Sequence, residues 1–355
     1  MIDQDLLFKL LNSYGVSGFE ERVREVIMAQ MKGLVDDMRV DNLGNLICHK
    51  KGKGPKVMLA AHMDEIGLII KEINSLGRIY FSLIGGIEPI TLIGQKVHIE
   101  TTVADKPLHG IISFSALHDG KEIPDKIPFV SSLYIDTGLE KKDILKAGVK
   151  IGNFVVPEQK AYFAGNKSVI SGKSLDDRIG CYLLIMLAKR IKKLNQDVYF
   201  VFTVQEEIGL YGAKTSAYAL EPDLAIAVDV TNANDALSAD SNCLGKGPFI
   251  TIKDSEMISS RSLNNHIQKL AKKKKIPLQL EVTDSGTTDA MYISISRSGV
   301  PSTVLGVVIR NIHSTISLAS LKDIEHCLNL LELFLRDPVI NSLATKSKSV
   351  KGKSA

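Results

Sequence analysis

The sequence contains no tryptophan, and aromatic residues make up only 6% of it. Rings that could stack against sugars are therefore scarce, which counts against a carbohydrate-cleaving enzyme. No segment approaches the roughly 20 apolar residues needed to cross a bilayer; the longest apolar stretch, Cys181 to Ala188, is far too short. The N-terminus, MIDQDLLFKLLNS, has acids near its start and no basic segment leading an apolar run, so it reads as a helix rather than a signal peptide. The four cysteines, Cys48, Cys181, Cys243 and Cys327, lie far apart with no paired spacing. That excludes a zinc ribbon and a disulfide framework, and leaves four buried small hydrophobes in a reducing cytoplasm as the expectation. Charge of one sign is also lacking. The net +4 is concentrated in the tail Lys346 to Ala355, and without its four lysines 40 basic residues face 40 acidic ones. No basic face for nucleic acid is expected, and the tail itself reads as a disordered solubilising end.

What is present is ordinary globular composition: 355 residues, 45% hydrophobic and 24% charged. Such a chain is long enough for one large core or two smaller ones, and a soluble enzyme is the default class. A first helix is expected near Leu6 to Leu11. Ser17-Gly-Phe-Glu20 has the form of a capping box, with an amphipathic helix from Glu20 to Met31. Asn42-Leu-Gly44-Asn45 between strand-like runs predicts a hairpin. KVMLAAH, Lys56 to His62, reads as a strand buried on both faces.

From Gly67 to Phe163 the texture changes to short β-like runs punctuated by Gly, Pro and Asp, with no long helix. This predicts a small, barrel-like β domain whose uncovered strands would invite pairing with a second copy. After Ser171 strands and helices alternate. Helices are expected over Asp177 to Leu194, Leu263 to Lys274 and Leu321 to Leu335, with Lys272 to Lys275 closing the second where cations suit the helix dipole. Strands are expected over Val198 to Val204, Leu224 to Val230 and Thr303 to Ile309. The fold class is α/β, a mixed, mostly parallel sheet with helices on both faces, plus the inserted β domain. The expected division is 1-66 and 164-345 for the α/β domain, 67-163 for the insertion and 346-355 for the tail.

Chemistry-bearing residues follow the buried strands. KVMLAAH ends in His62-Met-Asp64-Glu65, VYFVFTV in Gln205-Glu206-Glu207 and LAIAV in Asp229, and TVLGVVI precedes Arg310-Asn-Ile-His313. Ser174-Leu175-Asp176 precedes a helix. In open α/β sheets the ligand site lies beyond the carboxyl ends of the strands, so that edge would gather two histidines and several carboxylates. This donor set suits zinc or cobalt, with manganese also admissible. Asp176 can offer an oxygen to each of two ions, and Asp64 can accept the second imidazole N–H of His62 and fix its tautomer. Of Glu206 and Glu207, one can bind metal while the other takes a proton from water. Singly, each group has an ordinary explanation as a core histidine, a solvated pair or a helix cap; it is their convergence on one sheet edge that points to a metal hydrolase.

AHMDEIG (Ala61 to Gly67), SLDDRIG (Ser174 to Gly180), QEEIGLYGA (Gln205 to Ala213) and AVDVT (Ala227 to Thr231) resemble the glutamyl-aminopeptidase and tetrahedral-aminopeptidase family of dinuclear metallopeptidases. GKGPFITIKD, DSGTTDA and IRNIHS fit as well, in order, from about Leu6 to Leu335. Some members of that family carry cellulase or endoglucanase names. The resemblance implies that His62 and Asp229 hold one metal and Glu207 and His313 the other. It further implies that Asp176 bridges the two, Glu206 is the general base and Asp64 orients His62. It implies dimerisation through the β domain, and assembly of dimers into a hollow tetrahedral dodecamer that admits unfolded peptides and excludes folded proteins. Thr315 and Ser317 depart from the family pattern, which has Pro and then Glu after His-Ser. On electrostatic grounds the substrate is expected to be a short peptide with a free N-terminal amine, held in a pocket shaped partly by Asp284 to Thr288. Only Arg310 offers itself as a cation for a free carboxylate. The alternatives are a dinuclear deacylase of small N-acyl substrates and, less favoured, a glycosidase using the Glu206–Glu207 pair.

Overall fold

The computed structural model describes residues 2–101, 107–114, 129–236 and 242–346. The chain opens with α1 (Gln4–Leu11) and α2 (Glu21–Met31), then β1 (Asp37–Val40), β2 (Leu46–Lys50) and β3 (Lys56–His62). Six short strands follow: β4 (Gly67–Ile73), β5 (Ile79–Ile84), β6 (Lys96–Ile99), β7 (Leu108–Phe114), β8 (Leu133–Asp136) and β9 (Phe154–Pro157), with the short helix α3 (Lys141–Lys146) before the last of them. Next come β10 (Tyr162–Ala164), β11 (Val169–Gly172), α4 (Leu175–Arg190), β12 (Asp197–Thr203), α5 (Tyr211–Leu220), β13 (Leu224–Ala227) and β14 (Val230–Asn232). The chain ends with β15 (Phe249–Lys253), α6 (Arg261–Lys274), β16 (Gln279–Val282), α7 (Ala290–Ser294), β17 (Ser302–Arg310), β18 (Ser317–Ser320), α8 (Leu321–Arg336) and α9 (Ile340–Lys346). The expected basic tail lies outside the described residues from Ser347 onward.

The large sheet runs β1-β2-β12-β3-β13-β17-β18-β11-β10, with β14 and β15 also on β17 and β16 beyond β15. Its centre, β12-β3-β13-β17, is parallel, as are the β14–β17 and β15–β16 pairs, while β2, β18 and β15 join the centre antiparallel. The central strands are sandwiched, which is why they are apolar without interruption. Along β3, Val57, Leu59 and Ala61 face the core formed with α1, α2, α4 and α8, while Met58 and Ala60 face a second core under α5 and α7. The fold is therefore α/β with helices on both faces, as its apolar periodicity predicts. The expected hairpin is present, with Val40 opposite Leu46.

Strands β4-β5-β8-β7-β6-β9 close into a barrel around Leu68, Ile70, Phe81, Val97, Ile112 and Val155. Closure comes from β9 pairing with both β4 and β6. A closed barrel has no free edge, so the expectation that uncovered strand edges drive pairing between copies is wrong in its reason. The capping box is also corrected. Glu20 sits at the N-cap of α2 without a side-chain cap bond. The Ser17 hydroxyl donates instead to Asp64, and Glu20 accepts from the backbone of Gly18 and Gln205. A long-range polar demand from the sheet edge outcompetes the local cap. The helix starts anyway, because Val23, Ile27 and Met31 bury one face.

Candidate active site

The four parallel strands end side by side, and their carboxyl ends deliver the predicted residues to one place. His62 closes β3, Glu206 and Glu207 follow β12, Asp229 lies between β13 and β14, and His313 follows β17. Asp176 sits in the non-helical turn that opens α4. The turns are tight: Gln205 and His313 both adopt left-handed backbone, with φ of +56°. Such conformations are costly for residues other than glycine and persist where the surroundings enforce them. Gly306 on β17 lets the backbone of Asp229 come close, since a Cβ there would collide with its carbonyl.

Asp176 stands at the centre. Its Oδ1 is 2.9 Å from His62 Nε2, and its Oδ2 is 3.3 Å from His313 Nε2. His313 Nε2 is also 3.4 Å from Glu207, and His62 Nε2 lies 3.9 Å from Asp229 and 4.0 Å from Glu206. Ligand atoms of His62, Glu206 and Asp229 fall within 4.8 Å of one another, as do those of His62, Asp176 and Glu207. His62 Nδ1 lies 3.2 Å from the carbonyl of Asp64 and 3.4 Å from its Oδ1. A carbonyl can only accept, so Nδ1 carries the proton and Nε2 is aimed into the cluster. Asp64 in turn accepts the backbone N–H groups of Glu206 and Glu207.

The electrostatics are those of crowded, buried acids. Burial pushes Glu206 well above the carboxylate range, and it pushes Glu207 up to about 8 with help from the Asp176 charge. Burial likewise moves Asp229 to about 7. Burial alone would lower the two imidazoles, but Glu206 and Asp176 hold His62 well above its ordinary value, and Asp176 and Glu207 hold His313 at about 9. Asp176 shows the reverse balance: burial would raise it, and hydrogen bonds to His313 and His62 pull it down. The buried carboxylates hold both imidazoles protonated, and divalent cations would supply that positive charge in place of the protons. The donor set fits such ions.

The cluster opens into a cavity of about 760 Å³ whose wall includes Ser285 to Thr288, as the sequence reading expects, and Gly86 from the barrel. Asp284 is turned away from it onto Lys253, with Nζ at 2.9 Å. Arg310 does not reach the cavity wall: its guanidinium is held in a two-pronged pair by Asp235, both bonds at 2.8 Å.

The profile of the M42 glutamyl aminopeptidase family matches residues 44–330. This chain belongs to that family. The lysyl aminopeptidase of Pyrococcus furiosus is 35% identical over 350 residues, covering 95% of this chain and 98% of its own length. An aminopeptidase from Desulfurococcus kamchatkensis superposes with a TM-score of 0.93 at 34% identity, covering 98% of each chain. The TET1 peptidase of Pyrococcus horikoshii, described as able to assemble into a tetrahedron or a large octahedral shell, superposes at 0.86 with 34% identity, over 94% of this chain and 99% of its own.

Around the centre of this M42 chain stand groups to which the sequence assigns no part in the site. Ser17, 3% exposed, is bonded to Asp64. Asp289 is buried, accepts from Thr203, and leaves Oδ1 without a partner among the described residues. Burial moves it to about 6, and its charge adds to the upward push on Glu206. Asp289 stands inside DSGTTDA, so the motif holds the signal, but a loop aspartate gives no hint of its destination. Thr315 hydrogen-bonds Gln95 of the barrel side, and Ser317 donates to the carbonyl of Asn311, so both residues that depart from the family pattern have local partners.

Proposed function

We propose that the chain is a dinuclear metalloaminopeptidase that removes the N-terminal residue from short peptides. The observation that carries this reading is Asp176, whose two oxygens face two different imidazoles at 2.9 and 3.3 Å. A carboxylate so placed suits a bridge between two ions. His62 and Asp229 would hold one, Glu207 and His313 the other, and the donor set favours zinc or cobalt, with manganese admissible. Bound divalent ions supply Lewis acidity toward the scissile carbonyl and acidify water.

The chain's own residues do the rest. Glu206 serves as general base: buried, with a raised pKa, it takes a proton from the attacking water and returns it to the leaving amine. Asp64 keeps the proton of His62 on Nδ1 and fixes the Glu206–Glu207 turn through their N–H groups. Five carboxylates around two imidazoles leave negative charge after two cations bind, which welcomes the α-ammonium of a peptide. The structure offers no free guanidinium in the described wall for a terminal carboxylate, since Arg310 is taken by Asp235.

We further propose that residues 1–66 and 164–345 form the catalytic domain and residues 67–163 a domain for self-association. Support comes from apolar side chains left open on the barrel: Ile111 at 55%, Phe129 at 73% and Ile151 at 67% exposed. A dimer, or a dodecamer of the kind described for the PhTET1-12s peptidase, would cover them. Four buried free thiols suit a cytoplasmic setting. The side-chain preference does not carry over from relatives, because the family is described by glutamyl cleavage and one relative by lysyl cleavage.

The test is a panel of aminoacyl chromogenic amides, each with a free and an acetylated amine, given to metal-loaded protein. Cleavage of the free-amine set alone supports the proposal. Equal or better cleavage of the acetylated set supports a deacylase instead.

A further inference from the structure

The cavity runs from the catalytic cluster along β14, β15 and β16, and its wall there is acidic. On β16 exposure alternates: Leu280 is 56% and Val282 69% exposed, while Glu281 between them is 7% exposed. All three residues line the cavity, and the Glu281 carboxylate is turned toward Thr231 and Thr251, which line it too. Thr231 Oγ1 and Asn242 Nδ2 donate to its Oε1 at 2.5 and 2.8 Å, and Thr251 Oγ1 donates to its Oε2 at 2.7 Å. All three donors are neutral. Among the described residues no Lys, Arg or His pairs with Glu281. Asp254 adds a second carboxylate to this wall, to which the described chain contributes neither Lys nor Arg.

A buried carboxylate held only by neutral donors is costly, and the cost is tolerated where a ligand brings the missing charge. An ionised carboxylate has about four acceptor positions. Three donors fill three of them, leaving room for one charged donor from the cavity. We propose that Glu281 is a specificity-determining residue that selects N-terminal residues with a cationic side chain, lysine or arginine. The inference rests on the aminopeptidase reading, since it needs the first residue of the peptide inside this cavity. An acidic side chain there would meet like charge from Glu281 and Asp254.

The test compares metal-loaded wild type and Glu281→Gln on the p-nitroanilides of lysine, arginine, leucine and glutamate. Wild type is expected to show its highest kcat/KM on lysine and arginine. In the variant the lysine-to-leucine ratio should fall about 10- to 100-fold, the worth of one hydrogen bond to a charged group. An equal loss on all four substrates would make Glu281 purely structural and overturn the proposal, as would a wild-type preference for leucine or glutamate. If the variant does not fold, inhibition of wild type by lysinamide and by norleucinamide, which keeps the four-carbon side chain without the ammonium, decides. Tighter binding of lysinamide supports the proposal, and equal binding overturns it. No cleavage of any free-amine substrate is a different result, because it removes the aminopeptidase reading itself.

Discussion

The Ser17 hydroxyl donates to Oδ2 of Asp64 at 2.6 Å, and both side chains are buried, at 3% and 0% exposure. That bond ties the segment before α2 to the sheet edge. Asp64 passes the constraint on, because it also accepts from the N–H groups of Glu206 and Glu207, each at 3.1 Å. Burial would raise the Asp64 carboxyl, but its bonds to His62 and Ser17 hold it below the usual range. Ser17→Ala should leave Asp64 one donor short. The expected cost is about 1–3 kcal/mol of stability, read as a lower melting temperature. A looser Glu206 turn should also lower kcat more than it raises KM. Unchanged kcat would show that Asp64 needs no support from Ser17.

Glu206→Gln should keep the metals and lose the rate. The amide preserves shape and removes the base, so kcat should drop by about 10²–10⁴-fold. Elemental analysis should find metal content near that of wild type. If Glu206→Gln loses metal while Glu207→Gln keeps it, the two roles are exchanged.

Asp176→Asn should be the most damaging ligand change. It removes charge facing both imidazoles at once, at His62 and at His313. The purified variant should hold less metal than any variant of His62, Asp229, Glu207 or His313. Normal occupancy would contradict a bridging role.

Lys173 anchors the other end of this region. Its Nζ lies 2.7 and 2.6 Å from the two oxygens of Glu65, and Arg178 lies 3.3 Å from the same carboxylate. Lys173→Met removes one cation of a buried network, and breaking such a pair costs about 3–5 kcal/mol. Burial lowers Lys173 from 10.5 to about 8. Between those values the unfolded chain binds the proton and the folded chain does not, so this group's share of the unfolding free energy rises with pH. Denaturant melts should show wild type gaining on Lys173→Met from pH 8 toward 10.5. A constant difference across that range would contradict the shift.

Much of the site is legible in the sequence because a strand buried on both faces is written as an unbroken apolar run. Lys56 to His62 and Asp197 to Thr203 announce where each strand ends, and the carboxylates come immediately after. What is not legible depends on partners distant in the chain. Ser17 has the local form of a cap, and its true acceptor is 47 residues away. Barrel closure hangs on Leu68 pairing with Val155, which no local pattern records. Asp289 is tied to the site by Thr203, at the end of β12 and 86 residues away in the chain. Glu281 reads as one polar residue in a short edge strand until Thr231, Asn242 and Thr251 are seen around it.

The central claim is that two metal ions in this cluster carry the hydrolysis of a peptide bond beside a free amine. The most direct measurement strips the purified protein with a chelator and titrates it with cobalt while following aminoacyl amide cleavage. Activity should vanish on stripping, return as cobalt is added, and reach its plateau at about two ions per subunit, as a two-metal site requires. Turnover unchanged in metal-free protein would contradict the account.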